Sequence, residues 1–268
     1  MPPSRDFEVN LSDGASISCR VMGEGIPVLW VSGLSGVASF WERICPGLEG
    51  IKSITFDQRG LCASKRGDAP VSVDRLAADA MAILDQLGLA QAHVVGHSTG
   101  GCIAMTMALA APQRINSLIV SGSWAGPHPY LEALFGWRLK LLETDPTLYE
   151  TIGSFISSTP RWLVDQPHGL RAPTAPWTAG RVAVAKERIA ALLAFDRRQE
   201  IERLSLPCLV LGARDDMIIP LFLQEELARL MPTATLKVLD QGAHFFPHCQ
   251  HEAFVNHARD WFRANHAG

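Results

Sequence analysis

Short apolar runs rich in valine and isoleucine recur along the chain, and they limit most strongly what it can fold into. Six of them occupy residues 27–32, 53–57, 92–97, 116–121, 207–212 and 235–240. Each run is shorter than a typical helix, and most of the runs lack the polar alternate positions of a strand with one face in water. The runs therefore predict parallel strands that are buried on both faces of one sheet.

Helical patterns separate these runs and predict crossovers between parallel strands. The clearest covers residues 73–87, where Ser72 can cap the start, apolar residues recur at helical spacing, and Gly88 can end the helix. This order indicates an α/β fold with helices on both faces and ligands bound beyond the carboxyl ends of the strands. Residues 7–10 and 15–21 alternate in polarity instead, and they predict an antiparallel hairpin at the sheet edge.

The strand–helix repeat stops after Gly122, and about 80 residues pass before the next apolar run. This stretch carries helical patterns and one Pro/Gly-rich part, residues 166–180, and it indicates an inserted helical lid. The predicted organisation is a first part of the core domain in residues 1–122, a lid segment in residues 123–206 and a second part of the core in residues 207–268.

Composition and charge narrow the classes of function. Hydrophobic residues make up 47% and charged residues 19%, as in globular proteins. The formal net charge of -3 and the lack of basic tracts argue against a nucleic-acid or membrane partner and favour a small-molecule substrate. The N-terminal sequence lacks the pattern of a signal peptide, so we expect a cytoplasmic protein. The six cysteines show no metal-ligand spacing, and neither a metal nor a cofactor is expected.

The pattern Gly96-His97-Ser98-Thr99-Gly100 is the strongest local sign of chemistry. It follows an apolar run directly and precedes a helix-like apolar run, so the chain must turn sharply from strand to helix. Small residues two positions before and after the serine avoid collision of the backbone in such a turn. The pattern predicts Ser98 as a nucleophile at its apex.

A serine hydroxyl needs an imidazole as general base, and the imidazole needs a carboxylate to orient it. His244 follows a late predicted strand through a glycine-containing turn, which would place it over the carboxyl edge of the sheet. Two neighbouring aspartates after the preceding strand compete for the third role. Counting from the end of that strand favours Asp215, whereas Asp216 stands four residues before Pro220, a spacing common in sheets of this kind. We prefer Asp216, and Asp215 stays the alternative.

The chain order Ser98, Asp216, His244 resembles that of the α/β-hydrolase fold over nearly the whole chain. The resemblance implies an oxyanion hole made by the backbone N–H groups of Leu34 and Thr99. The loop after residues 27–31 departs from the common pattern, because Ser32-Gly33 stands where the family often has His-Gly.

Three further motifs are similar to those of aminoacrylate hydrolases of pyrimidine breakdown and of enol-lactone hydrolases. They are residues 31–41, the turn Asp57-Gln58-Arg59-Gly60 and residues 215–220. We interpret Asp57 and Arg59 as part of the scaffold. Trp41, beside the oxyanion loop, and Trp124, just beyond a strand end, are the candidate substrate-binding residues, with core packing as their alternative role.

Together these features predict a serine hydrolase that cleaves a small carboxylic ester, amide, carbamate or lactone through an acyl-enzyme intermediate. Carbon–carbon bond hydrolases and cofactor-free haloperoxidases of the same fold share the triad and remain alternatives. A ligand receptor with slow turnover is the rival from another class. An apolar face of the lid segment would also suit pairing of two subunits, which makes a homodimer a candidate assembly.

Overall fold

A computed structural model of the protein describes residues 4–166 and 175–266. Within these residues the strands form one eight-stranded sheet in the order β1-β2-β4-β3-β5-β6-β7-β8. The strands are β1 (Ser4–Asn10), β2 (Ser16–Met22), β3 (Ile26–Val31), β4 (Ile51–Phe56), β5 (Ala92–His97), β6 (Ile115–Ser121), β7 (Cys208–Ala213) and β8 (Ala234–Leu239). The pairs among β3 to β8 are parallel, and β1 and β2 form an antiparallel hairpin at one edge. The predicted mostly parallel sheet with an edge hairpin is confirmed. The prediction that residues 235–240 are buried on both faces is wrong, because β8 is the other edge strand and none of its residues is buried.

The α-helices cover the sheet and connect its parallel strands. Those of the described residues are α1 (Val73–Gln86), α2 (Thr99–Ala110), α3 (Pro129–Thr144), α4 (Pro146–Ser157), α5 (Pro160–Asp165), α6 (Ala179–Leu193), α7 (Leu221–Leu230), α8 (Phe246–Cys249) and α9 (His251–Asn265). The Ser72 hydroxyl accepts a hydrogen bond from the Arg75 N–H at 3.1 Å and caps α1, as its sequence predicts. Gly88, with φ of 64°, follows the last turn of α1.

Two hydrophobic clusters lie on opposite faces of the sheet. Successive residues of a strand point to opposite faces, so Val94 joins one cluster and Val95 the other. All six residues of β7 are buried, which explains why its sequence shows no polar alternation. Each such apolar side chain contributes roughly 1.5–3 kcal/mol by leaving water. Burial of these side chains stabilises the central strands in the sheet. Because the strands are parallel, their carboxyl ends lie at one edge of the sheet.

The lid segment, residues 123–206, lies in sequence between β6 and β7 and contains α3, α4, α5 and α6. Its helical character is confirmed, whereas the division of the chain into core and lid domains stays a prediction. Most of the Pro/Gly-rich part at residues 166–180 lies outside the described residues. Across residues 4–166 and 175–266, none of the helices combines the length and the apolar character that crossing a membrane requires.

Candidate active site

Ser98 lies at a sharp turn between β5 and α2. Its φ of 58° and ψ of -126° fall in a region that side-chain-bearing residues rarely adopt, at a typical cost of about 1–3 kcal/mol. The Ser98 N–H donates to the Ser121 carbonyl at 2.8 Å, which ties the turn to β6. Ser98 is buried but for 7% of its surface. The surrounding sheet and helix thus hold the serine in a conformation that it would not adopt alone.

Glycines allow the backbone around this turn to pack closely. A Cβ on Gly96 would lie 2.2 Å from the Gly100 carbonyl oxygen, and one on Gly100 would lie 2.1 Å from the Val31 carbonyl oxygen. Real Cβ atoms do not approach backbone oxygens so closely, because the overlap exceeds van der Waals contact. The G-x-S-x-G spacing therefore follows from contact between the strand, the helix and the neighbouring strand β3.

Gly33, in the loop after β3, packs directly against the serine side chain. A Cβ on Gly33 would lie 2.8 Å from Ser98 Cβ and 3.4 Å from Ser98 Oγ. Leu34, the next residue and a predicted oxyanion donor, is partly buried in the same loop. The other predicted donor, Thr99, is the first residue of α2, where backbone N–H groups have no acceptor one turn earlier. The structure thus puts both predicted donors in chain segments that adjoin Ser98.

His244 follows β8 in a turn and makes a hydrogen bond with one aspartate. Its Nδ1 lies 2.9 Å from Asp216 Oδ2, and the two side chains are 6% and 0% exposed. The other carboxylate oxygen, Asp216 Oδ1, accepts from the N–H groups of Ile218 and Ile219 at 2.8 and 2.9 Å. Because these bonds fix the carboxylate, it holds the imidazole with Nδ1 as donor and Nε2 unprotonated.

Asp215, the alternative acid, holds the backbone of the same turn instead. Its two carboxylate oxygens accept from the N–H groups of Gly242 and Ala243 at 3.1 and 2.9 Å. Ala243 has a positive φ of 51°, so this turn carries backbone strain next to His244. Asp216 is therefore the aspartate on the imidazole, and Asp215 positions the turn that carries it.

A second histidine, His97, packs against His244. The ring centroids lie 4.8 Å apart, and His97 Nδ1 lies 3.0 Å from Ser121 Oγ. Burial, with smaller contributions from His244 and His248, holds the pKa of His97 well below its usual value. His97 is therefore neutral at neutral pH, and it places no positive charge beside His244 when that imidazole takes up a proton.

Gly122, just beyond β6, leaves the space in which these rings meet. Its φ is 53°, and a Cβ there would lie 3.2 Å from His97 Cε1 and 3.4 Å from His244 Cε1. The glycine that ends the strand–helix repeat in the sequence therefore lies beside the predicted general base. Its positive φ and these contacts together favour glycine over any other residue.

The two predicted substrate-binding tryptophans lie in the hydrophobic core. Trp41 is 0% exposed and packs against Trp30, with ring centroids 5.0 Å apart. Trp124 is 1% exposed and packs against Phe195 at 6.3 Å. Both have the core role that the sequence left as the alternative, and neither presents surface to a ligand.

Arg188 of α6 is a feature of the site that the sequence did not reveal. Its Nε donates to the Leu34 carbonyl at 2.8 Å and its Nη2 to the Gly33 carbonyl at 3.2 Å. The lid segment thus holds the loop that carries a predicted oxyanion donor. No local spacing connects residues 154 positions apart, so only the folded chain shows this contact.

The chain is similar to known hydrolases in sequence. The sequence model of the alpha/beta hydrolase fold family matches residues 26–161. A putative carbamate hydrolase of Azorhizobium caulinodans is 33% identical over 239 residues, which cover 87% of this chain and 89% of that protein. These matches confirm the resemblance to α/β-hydrolases that the motifs indicate.

Solved structures share the fold along almost the whole chain. A thermophilic esterase from Thermogutta terrifontis has a TM-score of 0.85 at 22% identity, covering 98% of this chain and 100% of that one. The enol-lactonase from Burkholderia xenovorans LB400 has a TM-score of 0.83 at 19% identity, covering 94% and 98%. At such low identity the two structures establish the fold alone.

Proposed function

We infer that this chain, which belongs to the alpha/beta hydrolase family, cleaves a small carboxylic ester, amide, carbamate or lactone through an acyl-enzyme on Ser98. Two observations carry the proposal: the buried Asp216–His244 hydrogen bond of 2.9 Å, and the strained backbone of Ser98 between β5 and α2. A strained apex and a buried, oriented imidazole both cost stability, and packing alone requires neither.

The first half of the reaction forms the acyl-enzyme. Ser98 Oγ attacks the carbonyl carbon of the substrate while His244 Nε2 removes the hydroxyl proton. The tetrahedral intermediate then collapses, the bond to the leaving group breaks, and the imidazolium returns the proton to the leaving oxygen or nitrogen. The Asp216 carboxylate stabilises the imidazolium through Nδ1 in both steps.

The second half releases the acyl group to water. His244 Nε2 removes a proton from a water molecule as its oxygen attacks the acyl carbon. Collapse of the second tetrahedral intermediate breaks the bond to Ser98 Oγ, which takes back the proton from His244. An ester gives a carboxylic acid and an alcohol, an amide gives a carboxylic acid and an amine, and a lactone gives a single hydroxy acid. A carbamate ester that loses its alcohol in the first half gives carbamic acid in the second.

In each tetrahedral intermediate the former carbonyl oxygen carries a negative charge. The N–H groups of Leu34 and Thr99 would donate to it, and the N-terminal end of α2 adds a favourable helix dipole. One such donor typically contributes about 3 kcal/mol to the transition state. Arg188 supports this role indirectly, because it bonds the carbonyl of Leu34 and so fixes the opposite side of that residue.

The name of the sequence relative favours carbamates among the candidate substrates. A carbamate places nitrogen on the reacting carbonyl, which makes that carbon less electrophilic than in an ester, but the same steps of attack by serine and loss of the alcohol apply, and esters are the more reactive test of them. We therefore place carbamates and esters first in a trial of substrates and amides and lactones second.

The proposal is tested with p-nitrophenyl esters and carbamates on the wild type, Ser98→Ala and Ser39→Ala. Ser39 is an exposed serine in the short 3₁₀ helix Ala38–Trp41 and serves as the matched control. We expect kcat/KM to fall at least about 10⁴-fold in Ser98→Ala, the typical loss when a triad nucleophile is removed, and to stay unchanged in Ser39→Ala. A folded Ser98→Ala protein that retains a tenth of the wild-type rate would contradict the proposal.

A further inference from the structure

Arg188 is a buried cation whose hydrogen-bond partners are all neutral. It is 2% exposed and reaches from α6 to the loop after β3. Its Nε and Nη2 donate to the carbonyls of Leu34 and Gly33, and Nη2 also donates to the side-chain carbonyl of Gln58. Its Nη1 is buried and has no hydrogen-bond partner among residues 4–166 and 175–266.

A second buried arginine in the same protein shows how unusual this is. Arg59 is 0% exposed and forms ion pairs of 2.6 Å with Asp13 and Asp79. Burial lowers the pKa of Arg59, but the bonds to these carboxylates outweigh it and the net shift is upward. For Arg188, burial lowers the pKa to about 10, and within the described part of the chain no carboxylate pairs with it. It still carries its charge at neutral pH, in a place where an unpaired charge is costly.

The surroundings of Arg188 in the lid segment add a second cation. The Arg138 guanidinium lies 4.8 Å from the ring centroid of Tyr149, and its buried Nε has no partner among the described residues. Burial raises the pKa of the Tyr149 phenol, and the charges of Arg138 and Arg188 oppose this rise. The negative charge of Glu150 also raises the pKa of Tyr149. The Glu150 carboxylate is itself occupied, because it accepts a hydrogen bond from Trp177 Nε1 at 2.8 Å. The interior of the lid segment thus has an excess of positive charge around Tyr149.

This charge lies close to the nucleophile. Gly33 contacts both Arg188 and Ser98. Its carbonyl accepts a hydrogen bond from Arg188 Nη2 at 3.2 Å, and a Cβ on Gly33 would lie 2.8 Å from Ser98 Cβ. Leu34 likewise offers its N–H to the proposed oxyanion and its carbonyl to Arg188 Nε. Ser98 is 7% exposed and Arg188 is 2% exposed, so both residues adjoin this loop from the interior of the protein.

We propose that Arg188 determines specificity by binding a carboxylate on the substrate through its free Nη1, so that the enzyme prefers anionic over neutral acyl compounds. The inference rests on the proposed function and deepens it. A substrate carboxylate supplies the counter-charge that this chain does not provide, and charge-assisted hydrogen bonds to a guanidinium are strong. Nε and Nη2 meanwhile keep holding the oxyanion loop.

The test compares two esters of equal shape. In p-nitrophenyl hydrogen succinate a carboxylate stands where p-nitrophenyl 4-methylpentanoate has an uncharged isopropyl group. The measured quantity is the ratio of their kcat/KM values, after subtraction of uncatalysed hydrolysis, for the wild type, Arg188→Met and Arg188→Lys. Arg181→Met is the matched control, because it removes a cation from the same helix, and Arg181 is 41% exposed.

We expect the wild type to favour the succinate ester and Arg188→Met to lower the ratio about 10- to 100-fold, which is the range for loss of a hydrogen bond to a charged group. Arg188→Lys should retain part of the preference, and Arg181→Met all of it. A role confined to holding the loop would lower both rates and leave the ratio unchanged, and that result would overturn the inference.

A binding measurement keeps the inference testable without turnover. Succinate should raise the Tm of the wild type and of Ser98→Ala, and raise that of Arg188→Lys less, because a ligand that binds only the folded state stabilises it. If succinate leaves the wild-type Tm unchanged, the inference is wrong even when neutral esters are hydrolysed. If no ester is hydrolysed but succinate raises the Tm through Arg188, the proposed function fails and the carboxylate site stands.

Discussion

Replacing Asp216 with asparagine should reduce kcat/KM about 10⁴-fold, whereas the same change at Asp215 should cost about tenfold or less. Asp216 Oδ1 accepts from the N–H groups of Ile218 and Ile219, and Oδ2 faces His244 Nδ1. An asparagine can satisfy both N–H groups only if its oxygen stays on them. Turning the amide round would leave two buried donors unpaired, at about 1–3 kcal/mol each.

The amide NH₂ must therefore point at His244. Nδ1 then accepts instead of donating, the ring proton moves to Nε2, and Nε2 can no longer take the proton of Ser98. This is the wrong tautomer for a general base, and its typical consequence is the loss of about four orders of magnitude in rate. At Asp215 each carboxylate oxygen accepts from one N–H of the turn, so asparagine loses one of two bonds and leaves the imidazole tautomer unchanged.

The assay is hydrolysis of one p-nitrophenyl ester by the wild type, Asp216→Asn and Asp215→Asn at equal concentrations of folded protein. Near-ultraviolet circular dichroism and thermal unfolding establish that each variant is folded. Losses of equal size in the two variants, or a loss below tenfold for Asp216→Asn, would refute the assignment of the acid and the argument about the tautomer.

Three further substitutions test other parts of the account. Arg59→Met leaves Asp79 buried without its cation and should lower the free energy of unfolding by about 3–5 kcal/mol in chemical denaturation, with kcat of the folded protein little changed. Gly33→Ala puts a Cβ 2.8 Å from Ser98 Cβ and should lower kcat/KM about 10²-fold in the ester assay. Burial lowers the pKa of His93 to about 4, so the unfolded chain binds a proton that the native chain does not between about pH 6.5 and 4. Stability should therefore fall as pH falls through this window, by up to about 1.4 kcal/mol per pH unit for this group, and His93→Gln should reduce that slope in urea titrations at several pH values.

Each of these expectations has an outcome that contradicts it. Unfolding of Arg59→Met within 1 kcal/mol of the wild type would mean that the ion pairs contribute little net stability. Wild-type kinetics in Gly33→Ala would mean that the loop after β3 can move away from the serine without consequence. An unchanged pH slope in His93→Gln would mean that this histidine does not stay neutral in the folded chain.

The sheet and the serine turn could be predicted because their signals are local. Runs buried on both faces are mostly apolar, and residues 208–213 show this in the sequence. The glycines around Ser98 are required by contacts with the adjoining strand and helix, so their spacing is visible as a motif. The order of the three catalytic candidates follows from strands whose carboxyl ends share one edge of the sheet.

The choice between Asp215 and Asp216 could not be settled in this way. Both residues follow β7 at the same edge, and they differ in whether the side chain faces His244 or the backbone of its turn. That difference depends on the dihedral angles of a turn, which spacing does not specify. The role of Arg188 could not be predicted for another reason, because its partners Leu34, Gly33 and Gln58 lie 130 or more residues away in sequence.

The tryptophans show the limit of reasoning from position along a strand. Trp41 follows the predicted oxyanion loop and Trp124 comes just beyond the end of β6, yet each lies in the hydrophobic core. A bulky aromatic near a site can fill either the pocket or the core beneath it, and burial of its apolar surface favours the core. Only the packing of neighbouring elements decides between the two.

The central claim is that Ser98 is an activated nucleophile, and reaction with a fluorophosphonate tests it without knowledge of the substrate. Intact-protein mass is measured after brief exposure of the wild type, Ser98→Ala and the control Ser39→Ala. We predict one adduct on the wild type and on Ser39→Ala and none on Ser98→Ala. An adduct of equal yield on folded Ser98→Ala, or unlabelled folded wild type that also hydrolyses no ester, would contradict the account.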